Sequence, residues 1–181
     1  MLRFMRVLVF LTIMLESTAL SADYAEAEIK ATFLYHFFHF IHWPEHGGSE
    51  SRLRKFCSLD RGDVYQFLEK IVKSKKQTDE SISIRVVNDI DMMRNCDYVF
   101  ISGESKDLAS SVTAALAGKP VLLVGDFLGF AEDGGTIEIY RKVDRVKVKI
   151  NKNRLYENGL TASSELLKLA TIINLHKSDT P

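Results

Sequence analysis

The sequence lacks any excess of charge of one sign. Its 24 basic residues are balanced by 24 acidic residues, and because the two signs are interspersed, no basic face for nucleic acid is indicated. Signatures of common catalytic sites are also missing: the chain has no G-x-S-x-G, S-x-x-K, G-x-G-x-x-G or Walker A motif. We therefore predict a protein that does not bind nucleic acid, is not an enzyme and needs no cofactor.

Long hydrophobic runs are scarce as well. Val7–Leu15 is nine residues long, whereas a membrane-spanning helix needs ~20. Two arginines precede this run, and small residues stand at Ala19 and Ser21. This layout predicts a secretory signal peptide over residues 1–21, cleaved after Ser21 or Ala22, and not a retained anchor. We expect an exported, periplasmic protein that is not inserted in the membrane.

Cysteine is rare, since Cys57 and Cys96 are the only two. In an exported chain an even number of cysteines favours a disulfide. A bond between these two would close a loop of about 40 residues and stabilise the fold by roughly 4 kcal/mol. A metal or redox site built on two thiolates is the alternative, although C-x-x-C spacing is absent.

Hydrophobic periodicity indicates alternating helices and strands. It predicts a first helix over Ala25–Trp43, which Pro44 would end. Four strands follow, at Leu53–Leu59, Ile82–Val87, Tyr98–Ile101 and Val121–Val124. The helices between them are predicted at Val64–Val72, Asp89–Arg94 and Ser105–Ala117, the last capped by Ser105. Such alternation with short links predicts a mostly parallel sheet that helices cover on both faces.

The pattern changes in the last third of the chain. Thr136–Val143 and Arg145–Ile150 alternate apolar and polar residues and predict an antiparallel hairpin. Helices are predicted at Lys152–Asn158 and Ser163–Leu175. The expected fold is α/β, with one domain over residues 22–176 and a frayed tail at 177–181.

Four of the five histidines lie within eleven residues, at His36, His39, His42 and His46. On a helix the first three would share one face, and zinc or copper accepts imidazole ligands. Spacings of three residues chelate less naturally than the i, i+4 pair of H-E-x-x-H. A half-exposed polar helix face and a pH-sensitive surface are the alternatives.

Two loops follow predicted parallel strands and contain glycine: Ser102–Ser105 and Gly125–Gly129. Open α/β sheets bind ligands at the carboxyl ends of their strands. Gly103, Gly125 and Asp126 are therefore candidate ligand-binding residues. The alternative is that these glycines serve tight turns.

Several motifs, taken in order, resemble those of one protein family. The first is the run Lys30–Phe37 leading into Phe40–Pro44. Shorter matches follow at Gly118–Leu122, Gly125-Asp126 with Gly129-Phe130, Gly134–Ile137, Ile150-Asn151 and Leu160–Ala170. By these motifs the chain resembles the YfiR/HmsC-like periplasmic proteins over nearly all of its predicted mature length.

The resemblance implies a three-layer α/β/α sandwich and a regulatory function. The best-known member of that family is a periplasmic repressor that binds an inner-membrane diguanylate cyclase and limits synthesis of cyclic di-GMP. The level of cyclic di-GMP in turn controls biofilm formation and exopolysaccharide production. An outer-membrane, peptidoglycan-associated lipoprotein can sequester that repressor. For this chain we therefore expect a membrane cyclase or another membrane sensor as partner, such a lipoprotein as a second partner, and a homodimer.

The chain departs from the family pattern at several positions. Cys57 and Cys96 match one family disulfide, but Ala131 and Glu138 stand at about the positions of a second cysteine pair. The clustered histidines replace more typical asparagine, lysine or glutamate, and Lys149 stands where glutamate is common. If the strand of Lys149 and the last helices form the partner surface, this reversal of charge at position 149 indicates a different or coevolved partner. The candidate contact residues are Ile137, Lys149, Leu155 and Ile173.

Overall fold

The computed structural model describes residues 23–44, 53–75, 82–143 and 145–174. Its helices are α1 (residues 23–40), α2 (Asp63–Lys75), α3 (Ile90–Met93), α4 (Ala109–Ala115), α5 (Lys152–Glu157) and α6 (Ser164–Leu169), with a 3₁₀ helix over Gly103–Leu108 before α4. Its strands are β1 (Ile41–His42), β2 (Arg54–Ser58), β3 (Ile82–Val86), β4 (Tyr98–Ile101), β5 (Leu122–Gly125), β6 (Ile137–Lys142), β7 (Arg145–Asn151), β8 (Thr161–Ala162) and β9 (Thr171–Ile173). No helix in these ranges has the length and apolar character needed to cross a bilayer.

Seven strands form one sheet in the order β3-β2-β4-β5-β6-β7-β9, and β1 forms a separate antiparallel pair with β8. From β3 to β6 all neighbours are parallel. β6 and β7 make the antiparallel hairpin, and β9 lies parallel to β7 at the edge. The predicted mostly parallel sheet with a C-terminal antiparallel hairpin is confirmed.

Alternate residues of the central strand β4 face two separate hydrophobic layers. Tyr98 and Phe100 pack in a cluster with Leu34 of α1 and other residues from α2 and α5. Val99 and Ile101 pack in a second cluster, with residues of α3 and α4. Because both faces are covered, the strand is apolar at every position. The three-layer α/β/α sandwich is thereby confirmed.

The first helix ends earlier than its periodicity predicts. α1 ends at residue 40, and the next two residues form β1, paired with β8. The Phe40 carbonyl also accepts a hydrogen bond from Ser163 N at 2.8 Å. The predicted extension to Trp43 is wrong, because these backbone groups bond to a distant strand instead of continuing the helix.

Two further helix predictions are wrong. Ser105 does not cap a helix, since its hydroxyl donates to Asp60 at 2.7 Å and a 3₁₀ helix surrounds it, so that α4 begins only at Ala109. The last helix stops at Leu169 and does not reach Leu175. The β-branched run Thr171–Ile173 favours extended chain and adds β9 to the sheet instead.

Candidate functional site

A cavity lined mainly by charged and polar side chains lies where three central strands end. Asp60 follows β2, Ser102 follows β4 and Asp126 follows β5, and the parallel direction of these strands brings their carboxyl ends together. The cavity has a volume of about 320 Å³ and extends to Lys30 on α1. Two of the residues predicted to approach a ligand, Gly103 and Asp126, line it.

Asp60 is fixed by three hydrogen bonds. Its carboxylate accepts from the Ser102 hydroxyl, from the Ser105 hydroxyl at 2.7 Å and from Gly62 N at 2.9 Å. Burial alone would raise the pKa of Asp60, but these bonds outweigh it and hold the pKa below its ordinary value of 3.8. The carboxylate is therefore ionised at neutral pH.

Asp126 joins the two predicted loops to α1. Its Oδ1 accepts from Gly103 N at 2.6 Å. Lys30 Nζ lies 3.2 Å from Asp126 Oδ2 and 2.9 Å from Glu26 Oε1. Burial would lower the pKa of Lys30, but the two carboxylates outweigh it and raise the pKa above its ordinary 10.5. Lys30 is thus a charged residue already held by two acidic partners.

This lining suits binding of a small polar or cationic ligand more than it suits catalysis. Among the described residues, the cavity is lined by four acidic side chains (Asp60, Asp63, Glu104 and Asp126) and by one cation, Lys30. The neighbouring serine hydroxyls donate to Asp60, whose lowered pKa makes it a poor proton acceptor. Neither serine is therefore activated as a nucleophile.

The glycine at the end of β5 serves packing. A Cβ at Gly125 would lie 2.5 Å from Cγ of Phe130, and one at Gly135 would overlap the same ring, which is fully buried. A Cβ at Gly103 would meet only ordinary contacts, the nearest at 3.8 Å. Gly125 therefore allows the protein's own ring to approach, and of the two candidate glycines it is Gly103 that lines the cavity.

The histidine cluster lies on α1 and β1. His36 and His39 are exposed, and their rings lie 5.9 Å and 5.2 Å from the ring of Tyr35. His42 is exposed in β1, and His46 lies outside the described residues. Within the described ranges, no group of three or more His, Cys, Asp or Glu side chains is placed to hold a metal ion. Metal binding by this cluster stays a prediction.

The four candidate contact residues do not share one exposed patch. Ile137 and Leu155 are buried in the core, and Ile173 is half-buried on β9. Lys149 Nζ lies 2.7 Å from Glu132 Oε1, and the lysine side chain is only 14% exposed. In this conformation Ile137 and Leu155 offer no side chain to a partner, whereas Ile173 and Lys149 remain candidates.

The sequence analysis does not select Asp60 and Lys30, which carry most of the cavity's hydrogen bonds and ion pairs. Asp60 follows a predicted strand, so the rule that selected Gly103 and Asp126 also applies to it. Lys30 reaches the cavity from a helix about 100 residues away in sequence from Asp126. No local pattern signals that contact.

The predicted disulfide between Cys57 and Cys96 is present and joins β2 to the segment before β4. Both cysteines are buried. Arg85 on the neighbouring strand β3 donates from Nε to Cys57 Sγ at 3.4 Å and from Nη2 to Cys96 Sγ at 3.7 Å. Of the two uses left open for these cysteines, the disulfide is therefore confirmed.

A family model described as YfiR/HmsC-like (DUF4154) matches residues 27–171. The chain belongs to this family. The matched range includes both cysteines and all residues that line the cavity. The members of this family are periplasmic proteins that regulate diguanylate cyclases. The family members themselves are regulators rather than enzymes. The resemblance inferred from the motifs is confirmed.

Two solved structures are similar to this chain at low sequence identity. The ABC domain in complex with L-Trp from Streptococcus pneumonia is 14% identical with a TM-score of 0.44, and the alignment covers 66% of this chain and 55% of that one. A conserved domain protein from Vibrio cholerae is 10% identical with a TM-score of 0.48, and the alignment covers 67% and 55%. The chain thus spans about half the length of each. No curated protein matches the sequence.

The two positions that the resemblance relates to a second cysteine pair are in contact in this family member. Ala131 N donates to Glu138 Oε2 at 3.2 Å, and Lys149 Nζ lies 2.9 Å from Glu138 Oε1. Asn151, in the Ile-Asn motif, donates to the Ala131 carbonyl at 2.9 Å. Here a hydrogen bond from the Ala131 backbone to the Glu138 carboxylate links the segments that a second disulfide would join, and Lys149 pairs with that carboxylate.

Proposed function

We propose that this protein represses an inner-membrane diguanylate cyclase by direct contact with the cyclase's periplasmic part. Repression lowers cyclic di-GMP and with it biofilm and exopolysaccharide output. The observation that carries the proposal is the family match over residues 27–171, because the family regulates such enzymes. The buried disulfide supports action in an oxidising compartment.

The edge of the sheet at β9 is the surface that we assign to this contact. β9 is the last strand of the sheet, and it carries the half-buried Ile173. Leu169, two residues before the strand, is 77% exposed. Among the described strands, β9 has no neighbour on its outer side. Such an edge, beside one exposed and one half-buried apolar side chain, suits association with another protein.

Gene deletion tests the repression. We expect cyclic di-GMP to rise in the deletion strain and to return to its original level when the gene is restored. Unchanged cyclic di-GMP under biofilm-forming conditions would contradict repression.

Calorimetry with the cyclase's purified periplasmic domain tests the contact. The Leu169→Asp/Ile173→Asp variant should lose binding, whereas Met92→Asp, a change at an exposed apolar residue of α3, should retain it. Equal binding by both variants would exclude the β9 edge. Absence of binding by the wild-type chain would contradict direct contact.

Export and assembly belong to the same proposal. We expect the signal peptide to be removed after Ser21 or Ala22, which N-terminal sequencing of the periplasmic protein checks. We also expect a homodimer, measured by light scattering, and capture by an outer-membrane, peptidoglycan-associated lipoprotein. A monomer in the light-scattering measurement would contradict the homodimer. An uncleaved chain in the periplasm would contradict the signal peptide.

A periplasmic ligand-binding module is the second candidate, and the cavity at the carboxyl edge favours it. Its acidic lining predicts binding of a small amine, which calorimetry with the wild type and an Asp126→Asn variant would detect.

Metal binding by the histidine face is tested separately with zinc and copper. Loss of heat in the His36, His39 and His42 alanine variants would support a metal site, and equal heats would oppose it.

A further inference from the structure

The β6–β7 hairpin extends beyond the rest of the sheet. β6 pairs with β5 only at Ile137 and Glu138, whereas all six of its residues pair with β7. On the other side, β9 pairs only with Lys149–Asn151 of β7. Within the described part of the chain, the remaining segments, Ile139–Lys142 and Arg145–Val148, pair only with each other, over about 13 Å. We call these two segments the arm.

One face of the arm is held against the protein. Ile139 and Val148 are buried in the core. Arg141, farther toward the tip on this face, has Nη1 3.2 Å from Glu26 Oε2 on α1. These contacts fix the arm and leave its other face outward.

The outward face is basic. It carries Tyr140, Lys142, Arg145 and Lys147, since directly paired residues share a face of the hairpin. The three cations are exposed, and none of them makes an ion pair within the part of the chain that the structure describes. Lys149, at the base of this face, is already paired with Glu132 and Glu138. We call Lys142, Arg145, Lys147 and Tyr140 the basic face.

The tip adds an exposed apolar side chain. Val143 is 82% exposed and has a φ of 57°, a conformation that β-branched residues rarely adopt. Residues 139–149 contain five basic residues and one acidic residue, Asp144, in a chain whose total charges balance. The arm is therefore a local concentration of positive charge around an apolar point.

We propose that the basic face and Val143 dock this protein onto an anionic phospholipid surface. Each lysine or arginine near such a surface strengthens binding by about fivefold. The apolar tip and the tyrosine ring suit the boundary between headgroups and acyl chains. The long cations, which make no ion pair with another described residue, match a fluid layer of phosphates better than the fixed carboxylates of a folded acidic protein. This docking brings the chain to a membrane without requiring contact with any protein, so it goes beyond the repression proposed above.

Sedimentation with lipid vesicles tests the proposal. The exported protein is mixed with phosphatidylcholine vesicles that contain or lack phosphatidylglycerol. We expect binding only when phosphatidylglycerol is present, and weakening of that binding at high salt. The Lys142→Gln/Arg145→Gln/Lys147→Gln variant should bind at least about tenfold more weakly. Val143→Asn, which tolerates the left-handed backbone, should bind more weakly by a smaller factor.

A matched control removes the same charge elsewhere. Lys70, Lys106 and Lys119 are exposed residues outside the hairpin, and changing all three to Gln should leave vesicle binding as in the wild type. Thermal unfolding by circular dichroism should be equal for both triple variants, so lost binding cannot be assigned to misfolding. Equal loss in both variants, or no preference for phosphatidylglycerol, overturns the proposal. If the wild type ignores the vesicles and the hairpin variant loses an acidic protein partner, the face docks protein and the membrane proposal is wrong.

Discussion

Lys149 Nζ lies 2.9 Å from Oε1 of Glu138, a carboxylate with no exposed surface. The two residues are directly paired across β6 and β7, and Glu132 Oε1 lies 2.7 Å from the same ammonium. Burial would lower the pKa of Lys149, but its bonds to Glu132 and Glu138 outweigh it and raise the pKa above the ordinary 10.5. A carboxylate in the core is tolerated only when it is paired, so these residues act as one unit.

Replacing Lys149 alone should destabilise the protein. Lys149→Met leaves the charge of Glu138 buried without its partner, and we expect the free energy of unfolding to fall by about 3 kcal/mol. Urea unfolding at neutral pH measures this.

Two companion variants isolate the cause of that loss. Lys147, two residues along the same strand, is exposed and makes no ion pair with the other described residues. Lys147→Met should therefore change stability by less than about 0.5 kcal/mol. The Glu138→Leu/Lys149→Met variant, which removes both charges, should recover most of the loss because no unpaired charge remains. Equal effects of the two lysine substitutions would show that the pair does not carry this stability.

The disulfide should contribute more than any single side-chain contact. The separation of 39 residues between Cys57 and Cys96 predicts a loss of about 4 kcal/mol when the bond is removed. Urea unfolding of the Cys57→Ala/Cys96→Ala variant measures it. Dithiothreitol should destabilise the wild type to a similar extent and leave the variant unchanged. A reductant effect on the variant would mean that the loss does not come from this bond.

Asp60 should make the stability of the protein decrease at acidic pH. Its pKa is below 3.8 in the folded protein, so its contribution is present above about pH 4 and is lost as the pH falls through the folded pKa. Asp60→Asn should cost about 1–2 kcal/mol at neutral pH, because it weakens three hydrogen bonds. Between about pH 4 and pH 2 its free energy of unfolding should fall less steeply than that of the wild type.

The graded control for this effect is Ser105→Ala, which removes one of the three donors to Asp60. Its acid dependence should lie between those of the wild type and Asp60→Asn. Parallel curves for the wild type and Asp60→Asn would contradict the role of this carboxylate.

The elements that followed from the sequence are those that local pattern determines. The strand predicted at Tyr98–Ile101 has the same bounds as β4, because a short apolar run between polar residues marks both ends of a buried strand. The hairpin of β6 and β7 followed from strict alternation. The ends of α1 and α6 could not be predicted in this way. They are set by the pairings of β1 with β8 and of β9 with β7, which join segments distant in sequence.

The candidate site divides in the same manner. Gly103 and Asp126 follow strands, and a rule about strand ends was enough to select them. Lys30 enters the cavity from α1, and its position depends on how that helix packs on the sheet. The sequence marks Lys149 as a departure from the family pattern, but its pairing with Glu138 follows only from the register of the hairpin.

The glycines around Phe130 allow a final prediction that separates packing from ligand binding. Gly125→Ala places a methyl group 2.5 Å from Cγ of the buried Phe130 ring, and Gly135→Ala overlaps the same ring. Overpacking of this kind costs about 1–3 kcal/mol, so both variants should unfold at lower urea concentration than the wild type. Gly103→Ala, whose nearest contact is 3.8 Å away, should leave stability within about 0.5 kcal/mol. A destabilised Gly103→Ala together with a stable Gly125→Ala would reverse the roles assigned to the two loops.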